Sequence, residues 1–329
     1  MARLAAAFGT SHSTMLFSSV EHWLALFDHV DRKAPIHDFD GAQRSFEELL
    51  RRRPADAAER IAPAVIRARH QAAQAAMNRL HGDIAAARLD ALIIIGDDQR
   101  EIFTDAARPA IGIYYGPTIR NAAAPAAVPE DWYRRDQRRR LEDKEDRHYP
   151  VHAPLATALI AGLTERGFDI AAIQALGAAQ YEGHAYSFVH RRYLADCLVP
   201  VVPIFLNTYY PPNQPTPRRC CEFGRALREV LAGFPDDLRV GLIASGGLSH
   251  FLVNEALDAT VIAAIRRQDP GALAALPPLL LNSGSSEIRN WICVAAAAAG
   301  ELALDWIDYV PAYRSQALTG VGLCFARWR

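Results

Sequence analysis

The chain has little that would tie it to a membrane, a nucleic acid or an oxidising compartment. No apolar run approaches the ~18 residues needed to cross a bilayer, so no membrane span is expected. Net charge is almost absent: 36 Lys and Arg stand against 37 Asp and Glu, which leaves no basic excess to attract nucleic acid or anionic lipid. Cysteine is sparse. The five present form no CxxC pair, are odd in number, and include the adjacent Cys220 and Cys221. Neighbours in sequence are badly placed for an ordinary disulfide, so reduced thiols in a cytoplasm are the expectation. The first ten residues hold an apolar run too short for a secretion signal, and it reads as a buried strand. No internal repeat and no low-complexity linker is present. Hydrophobic residues make up half of the 329, enough for a sizeable core.

That core is patterned as alternating strands and helices. Strands are predicted over residues 3–8, Leu89–Ile95, Ala110–Tyr115, Phe168–Leu176, Val199–Leu206, Leu238–Ala244 and Gly322–Ala326. Leu89–Ile95 is a short continuous apolar run, the pattern of a strand covered on both faces. Helices are predicted over Val20–Val30, Phe46–Arg53, an Ala-rich stretch from Pro63 to Ala87, Leu155–Arg166, Phe223–Ala232, Glu255–Arg267, Ala272–Leu276, and from Glu287 to about Ala303. This alternation implies one α/β domain across residues 1–329, with a mainly parallel or mixed central sheet flanked by helices. Residues 117–148 are the most polar stretch. Trp132–Arg140 is rich in arginine, but Glu142, Asp143, Glu145 and Asp146 follow at once, so a solvated helix is expected, with a lid or subunit contact as the functional alternative.

The chemistry-bearing residues gather just after strands, where open α/β sheets place their ligand crevices. His12 follows the first strand, and Asp97-Asp98-Gln99 follows the second. His184 lies in a loop, Tyr181–Phe188, and His250 follows a Ser245-Gly246-Gly247 turn whose glycines allow close backbone approach. Glu287 stands in a Gly/Ser turn before an apolar helix, with Ser285 or Ser286 predicted to cap that helix. A carboxylate in the first helical turn is a capping-box residue or a rigidly held metal ligand, and both readings are open. The adjacent Asp97 and Asp98 repel each other and call for a cation or a hydrogen-bond network.

Four of these motifs occur together in a known order. Gly9-Thr10-Ser11-His12, Glu182-Gly183-His184-Ala185, Ser245–His250 and Ser285–Trp291 resemble the motifs of class III extradiol ring-cleavage dioxygenases. That superfamily includes the protocatechuate 4,5-dioxygenase β subunit and single-chain gallate and 3-O-methylgallate dioxygenases. The resemblance implies a mononuclear Fe(II) site, a small aromatic substrate with O₂, and a homo-oligomer. His12 and Glu287 match metal ligands, His184 matches the acid–base histidine, and His250 matches a second histidine lining the pocket. One position departs. Where the family carries its second iron histidine, this chain has Gln99. Gln99 itself, Asp98, or a histidine from elsewhere (His37 or His70) could complete the metal site.

The reading that follows is a non-haem Fe(II) extradiol dioxygenase acting on a catechol-type dihydroxy-aromatic acid. Tyr186 would donate to a ring substituent or simply pack in the core. Arg218 and Arg219 would meet a substrate carboxylate or carry surface charge. A metal- or ligand-binding module without ring cleavage, and a zinc hydrolase using the same pocket, are the competing classes.

Overall fold

The computed structural model describes residues 1–125 and 131–329. Residues 126–130, part of the polar stretch, lie outside the described residues. The centre is an eight-stranded mixed sheet. Its strands are β1 (Arg3–Thr10), β2 (Ala91–Asp97), β3 (Ile111–Tyr114), β4 (Ala171–Ile173), β5 (Val201–Leu206), β6 (Arg239–Ser245), β7 (Leu304–Tyr313) and β8 (Gly320–Trp328). They lie in the order β7-β8-β1-β6-β2-β5-β3-β4. The inner four, β1, β6, β2 and β5, run parallel, with Thr10 beside Ser245 and Asp97 beside Leu206 at their carboxyl ends. β8 joins β1 antiparallel, and β3 joins β5 antiparallel.

Burial on both faces explains the apolar run of β2. Ile93 and Ile95 pack with the helices Ala153–Glu165, Pro217–Ala232 and Ile288–Ala298. Leu92 and Ile94 pack with Pro63–Ala86 and His184–Tyr193 on the other side. Every residue of β2 is buried, so no polar alternation survives in its sequence. Among the described residues, no helix is long and apolar enough to cross a membrane.

The elements differ from the sequence reading mainly at ends and edges. β4 keeps only Ala171–Ile173 of the predicted Phe168–Leu176, as suits a sheet edge. β7 was not anticipated: its residues alternate poorly, and it is held by pairing with β8 rather than by its own apolar pattern. The helix predicted from Phe223 starts at Pro217, with the Thr216 hydroxyl accepting from the Arg219 N–H and proline in the first turn. The helix after Glu287 stops at Ala298, before a left-handed Gly300 that terminates it. His184 opens a helix, His184–Tyr193, rather than sitting in a loop. Gly183, at φ +85°, makes the turn into it.

The helices Pro217–Ala232 and Ile288–Ala298 meet at Gly224, where an added Cβ would lie 2.1 Å from the Cys293 carbonyl oxygen. Backbone cannot yield cheaply there. Gly224→Ala is therefore expected to lower stability by about 1–3 kcal/mol, read as a fall in urea midpoint at unchanged slope.

Candidate metal centre and its cavity

The carboxyl ends of the parallel strands deliver the site. His12 follows β1, Asp97 closes β2, Tyr209 follows β5, and the Gly246–His250 loop follows β6. Glu287 ends a short 3₁₀ turn, Ser283–Glu287, at the head of the helix Ile288–Ala298. The residues after it fasten that helix to the strand ends. Asn290 donates to the Ser245 carbonyl at 2.9 Å, and the Trp291 indole to the Gly246 carbonyl at 2.8 Å. The Arg289 guanidinium donates to the Pro215 and Leu281 carbonyls at 2.8 Å each. Glu287 is thus held by a helix whose orientation three consecutive side chains fix.

The predicted serine cap is absent. Ser285 instead accepts from the His250 N–H at 3.0 Å and donates to its carbonyl at 3.1 Å, tying the two loops together. Nor does Glu287 make a capping box. Its oxygens accept from the Gly247 N–H at 2.7 Å and the Tyr209 hydroxyl at 3.1 Å, and lie 3.2 Å from His250 Nε2 and 3.5 Å from His12 Nε2. Gly246 permits this approach, since a Cβ there would stand 2.9 Å from the Glu287 Cβ.

Ligand atoms of His12, Asp97, His184 and Glu287 all lie within 4.8 Å of one another, and together they could hold a metal ion. His12 Nε2 is 3.9 Å from Asp97 Oδ1, and His184 Nε2 is 3.7 Å from Asp97 Oδ2. Donor atoms bound to one ion at ~2.1 Å stand roughly 3–4 Å apart, so this spacing suits a cation. The second ring nitrogens are held from behind. His12 Nδ1 meets the Ser245 hydroxyl at 3.0 Å, and His184 Nδ1 meets Glu101 at 2.9 Å. Asp97 Oδ1 is buried with no hydrogen-bond partner among the described residues, an orphan that a cation would satisfy. Burial, and then the nearby Glu287 charge, push the Asp97 carboxyl up to about 6. Burial also opposes ionisation of Glu287, but the His250 and His12 imidazoles hold it well below the usual carboxylate range.

The adjacent aspartates divide the two roles left open by the sequence. Asp97 points into the site. Asp98 turns away and accepts from the backbone N–H groups of Arg100, Ile102 and Phe103 at 3.1, 2.8 and 3.2 Å. Gln99 lies at the site's rim, its amide 3.3 Å from Asp97 and 3.4 Å from His184 Nε2. His37 sits in a small hairpin beside Gln43, and His70 faces the Ser18 carbonyl, so neither joins the cluster. Tyr186 is a packed residue donating to the Ile204 and Gly96 carbonyls. Arg218 is exposed, and Arg219 stacks on Phe168 at 3.8 Å, away from the cavity. Sequence reasoning expected a cation or a hydrogen-bond network beside Asp97 and Asp98 without naming Asp97 as a ligand, and it missed Tyr209 and Glu101 behind His184.

Above the cluster is a cavity of about 400 Å³, the size of a site for a small ligand. Its apolar wall includes Met15, Leu26, Val30, Phe251 and Val321. Tyr133, Gln137 and Arg140, from the polar stretch, also line it.

Residues 141–269 match a family described as the catalytic LigB subunit of aromatic ring-opening dioxygenase. A 52-residue stretch, 16% of this chain and 15% of the relative, is 42% identical to a gallate dioxygenase of Pseudomonas putida. Both findings support the class III extradiol dioxygenase superfamily. The LigB match contains His184 and His250, while His12, Asp97 and Glu287 lie outside it. A ring-opening oxygenase is the enzyme class that these likenesses support.

The ion pair behind His184 has a measurable consequence. Burial works against protonation of His184, but Glu101 and then Asp97 more than offset it and raise the imidazole to about 9. Burial likewise works against Glu101, yet His184 holds that carboxyl at about 2. The two shifts describe one interaction and count once. Because the folded value of His184 lies above its ordinary 6.5, the stabilisation is complete below pH 6.5 and disappears as pH rises through about 9. The metal-free protein is expected to lose roughly 3 kcal/mol across that window. Glu101→Gln should flatten the loss, as read by urea unfolding at the two ends of the range.

Proposed function

We propose that the chain is a non-haem Fe(II)-dependent extradiol dioxygenase that opens the ring of a catechol-type dihydroxy-aromatic acid with O₂. The observation that carries the reading is the buried Asp97 Oδ1, without a hydrogen-bond partner among the described residues, clustered with His12, His184 and Glu287, which themselves line the cavity. His12, Asp97 and Glu287 would hold the ion, with His184 left for proton transfer. Imidazole and carboxylate donors suit Fe(II) and leave positions open for other ligands. When bound, the ion supplies the Lewis acidity and redox capacity that bring an aromatic diol and O₂ together.

The chain's own side chains supply the rest. A cation held by His12, Asp97 and Glu287 would oppose protonation of the neighbouring His184 imidazole, which could then take a proton from a substrate hydroxyl and return it later. Glu101 fixes the imidazole's orientation and balances its charge. Both ring nitrogens of His250 face acceptors, the Leu248 carbonyl at 2.9 Å and Glu287 at 3.2 Å. Burial disfavours its charge, but Glu287 and that carbonyl raise its pKa, so the Nε2–H now shared with Glu287 is the donor that would turn to an oxygen atom in the cavity when Glu287 binds the ion. The apolar wall holds the ring and keeps bulk water from the reacting atoms. The unpaired state of all five cysteines supports a cytoplasmic setting, which belongs to the same proposal.

The test separates ion binding from chemistry. His184→Ala is expected to retain one Fe(II) per chain under anaerobic loading while losing turnover by about 10²–10⁴-fold, the worth of a positioned acid–base group. Loss of iron together with turnover would make His184 a ligand instead. Unchanged turnover would remove it from the mechanism.

A further inference from the structure

Two arginines reach the cavity, and they differ in one respect. Arg314 is 3% exposed and already neutralised: its Nε donates to Asp31 at 2.8 Å, and a second nitrogen reaches the other carboxylate oxygen at 2.5 Å. Arg140 has no such partner. Among the described residues its guanidinium makes no hydrogen bond and no ion pair, although it is only partly exposed. Of the carboxylates lining the cavity, Glu101 is committed to His184 through both the imidazole and the backbone N–H, and Glu287 to His250 and the Gly247 N–H. A guanidinium carries five donors in a planar fork matched to a carboxylate. Left unmatched on a cavity wall, it is a group waiting for an anion.

The backbone that presents Arg140 is fixed. The Asn121 side chain, itself fully buried, donates to the Arg140 carbonyl at 3.0 Å. The preceding helix, Trp132–Arg138, is fastened to the helix Val20–His29. There His22 stacks on Trp132 at 4.1 Å and meets Asp136 at 3.3 Å, while His29 stacks on Tyr133 at 4.8 Å. Arg140 lies near enough to Glu101, His184 and Tyr181 to act on all three electrostatically. It lines the same cavity as His12, His184 and Glu287.

Resting on the reading given above, we propose that Arg140 is the specificity residue that selects substrates bearing a ring carboxylate, binding that group while the ring hydroxyls face His12, Asp97 and Glu287. Arg218 and Arg219, for which the sequence leaves a substrate carboxylate or surface charge open, do not line the cavity. Tyr133, Gln137 and Tyr181 line the same cavity and offer further polar groups for the substituent.

Calorimetric binding under anaerobic conditions tests this without turnover. The probes are 3,4-dihydroxybenzoate and catechol, which differ only in the carboxylate. The native protein is expected to prefer the acid by about 10- to 100-fold, the worth of a charge-assisted pair. Arg140→Met should bring the ratio of the two dissociation constants below about threefold, and Arg140→Lys should restore part of it. A native protein without preference for the acid, or a preference that survives in Arg140→Met, would overturn the proposal. Because no ring is opened in this experiment, a failure of the dioxygenase reading shows separately. It would appear as absent oxygen consumption with the carboxylate preference intact.

Discussion

Glu287→Ala is expected to abolish stoichiometric metal binding and to lower turnover well beyond the roughly 10–100-fold that follows loss of a supporting group around a metal. The reason is the number of partners that converge on one buried carboxylate. Glu287 faces His12 and His250, and it accepts from the Gly247 N–H and the Tyr209 hydroxyl. Removing it deletes a ligand and also leaves the buried His250 imidazole without the carboxylate that favours its protonated form. Glu287→Gln keeps the shape and can still accept from Gly247 and Tyr209, so it should fold like the native chain while binding metal poorly. Metal content, circular dichroism and turnover, measured on both variants, separate a lost ligand from a lost fold. A Glu287→Gln protein that retains native iron affinity and rate would remove the carboxylate charge from the account.

The second large effect distinguishes Asp97 from Gln99. Asp97→Asn is expected to weaken Fe(II) binding by at least about 100-fold, because it removes the charge of a buried carboxylate whose Oδ1 has no hydrogen-bond partner among the described residues. Gln99→Ala should cost less than about tenfold in iron affinity, since a neutral amide at the rim contributes hydrogen bonds to Asp97 and His184 rather than charge. Anaerobic Fe(II) titration of the two variants gives the order directly. The reverse order, with Gln99→Ala losing the ion and Asp97→Asn keeping it, would return the third ligand to Gln99.

Much of the fold was legible because burial leaves a simple trace in sequence. β2 is apolar throughout since both its faces are covered, and the helix Pro63–Ala86 follows from alanine content and an initial proline. β7 left no such trace. It carries Asp305, Asp308 and Tyr309 and owes its place to β8, a long-range pairing that local pattern does not encode. The site shows the same division. His12 and His250, tied to strand ends, could be found by counting from apolar runs, and Glu287 by the Gly/Ser turn ahead of an apolar helix. The choice between Asp97 and Asp98 could not, because it depends on which carboxylate the turn at 98–103 consumes. Adjacent carboxylates look alike in sequence, and backbone N–H groups decide their roles. Arg140 was hidden for a related reason: a mixed-charge helical stretch normally signals solvent, and long-range contacts, the stacking of His22 and His29 on Trp132 and Tyr133 and the Asn121 bond to the Arg140 carbonyl, hold this one at the cavity.

The central claim is that these residues hold an iron ion that opens an aromatic ring with oxygen. Its most direct test is oxygen consumption by anaerobically Fe(II)-loaded protein mixed with 3,4-dihydroxybenzoate or gallate, with product absorbance followed in parallel. The account predicts one O₂ consumed per ring opened, and no consumption by the metal-free protein. Bound iron and bound substrate with no oxygen consumed would contradict it.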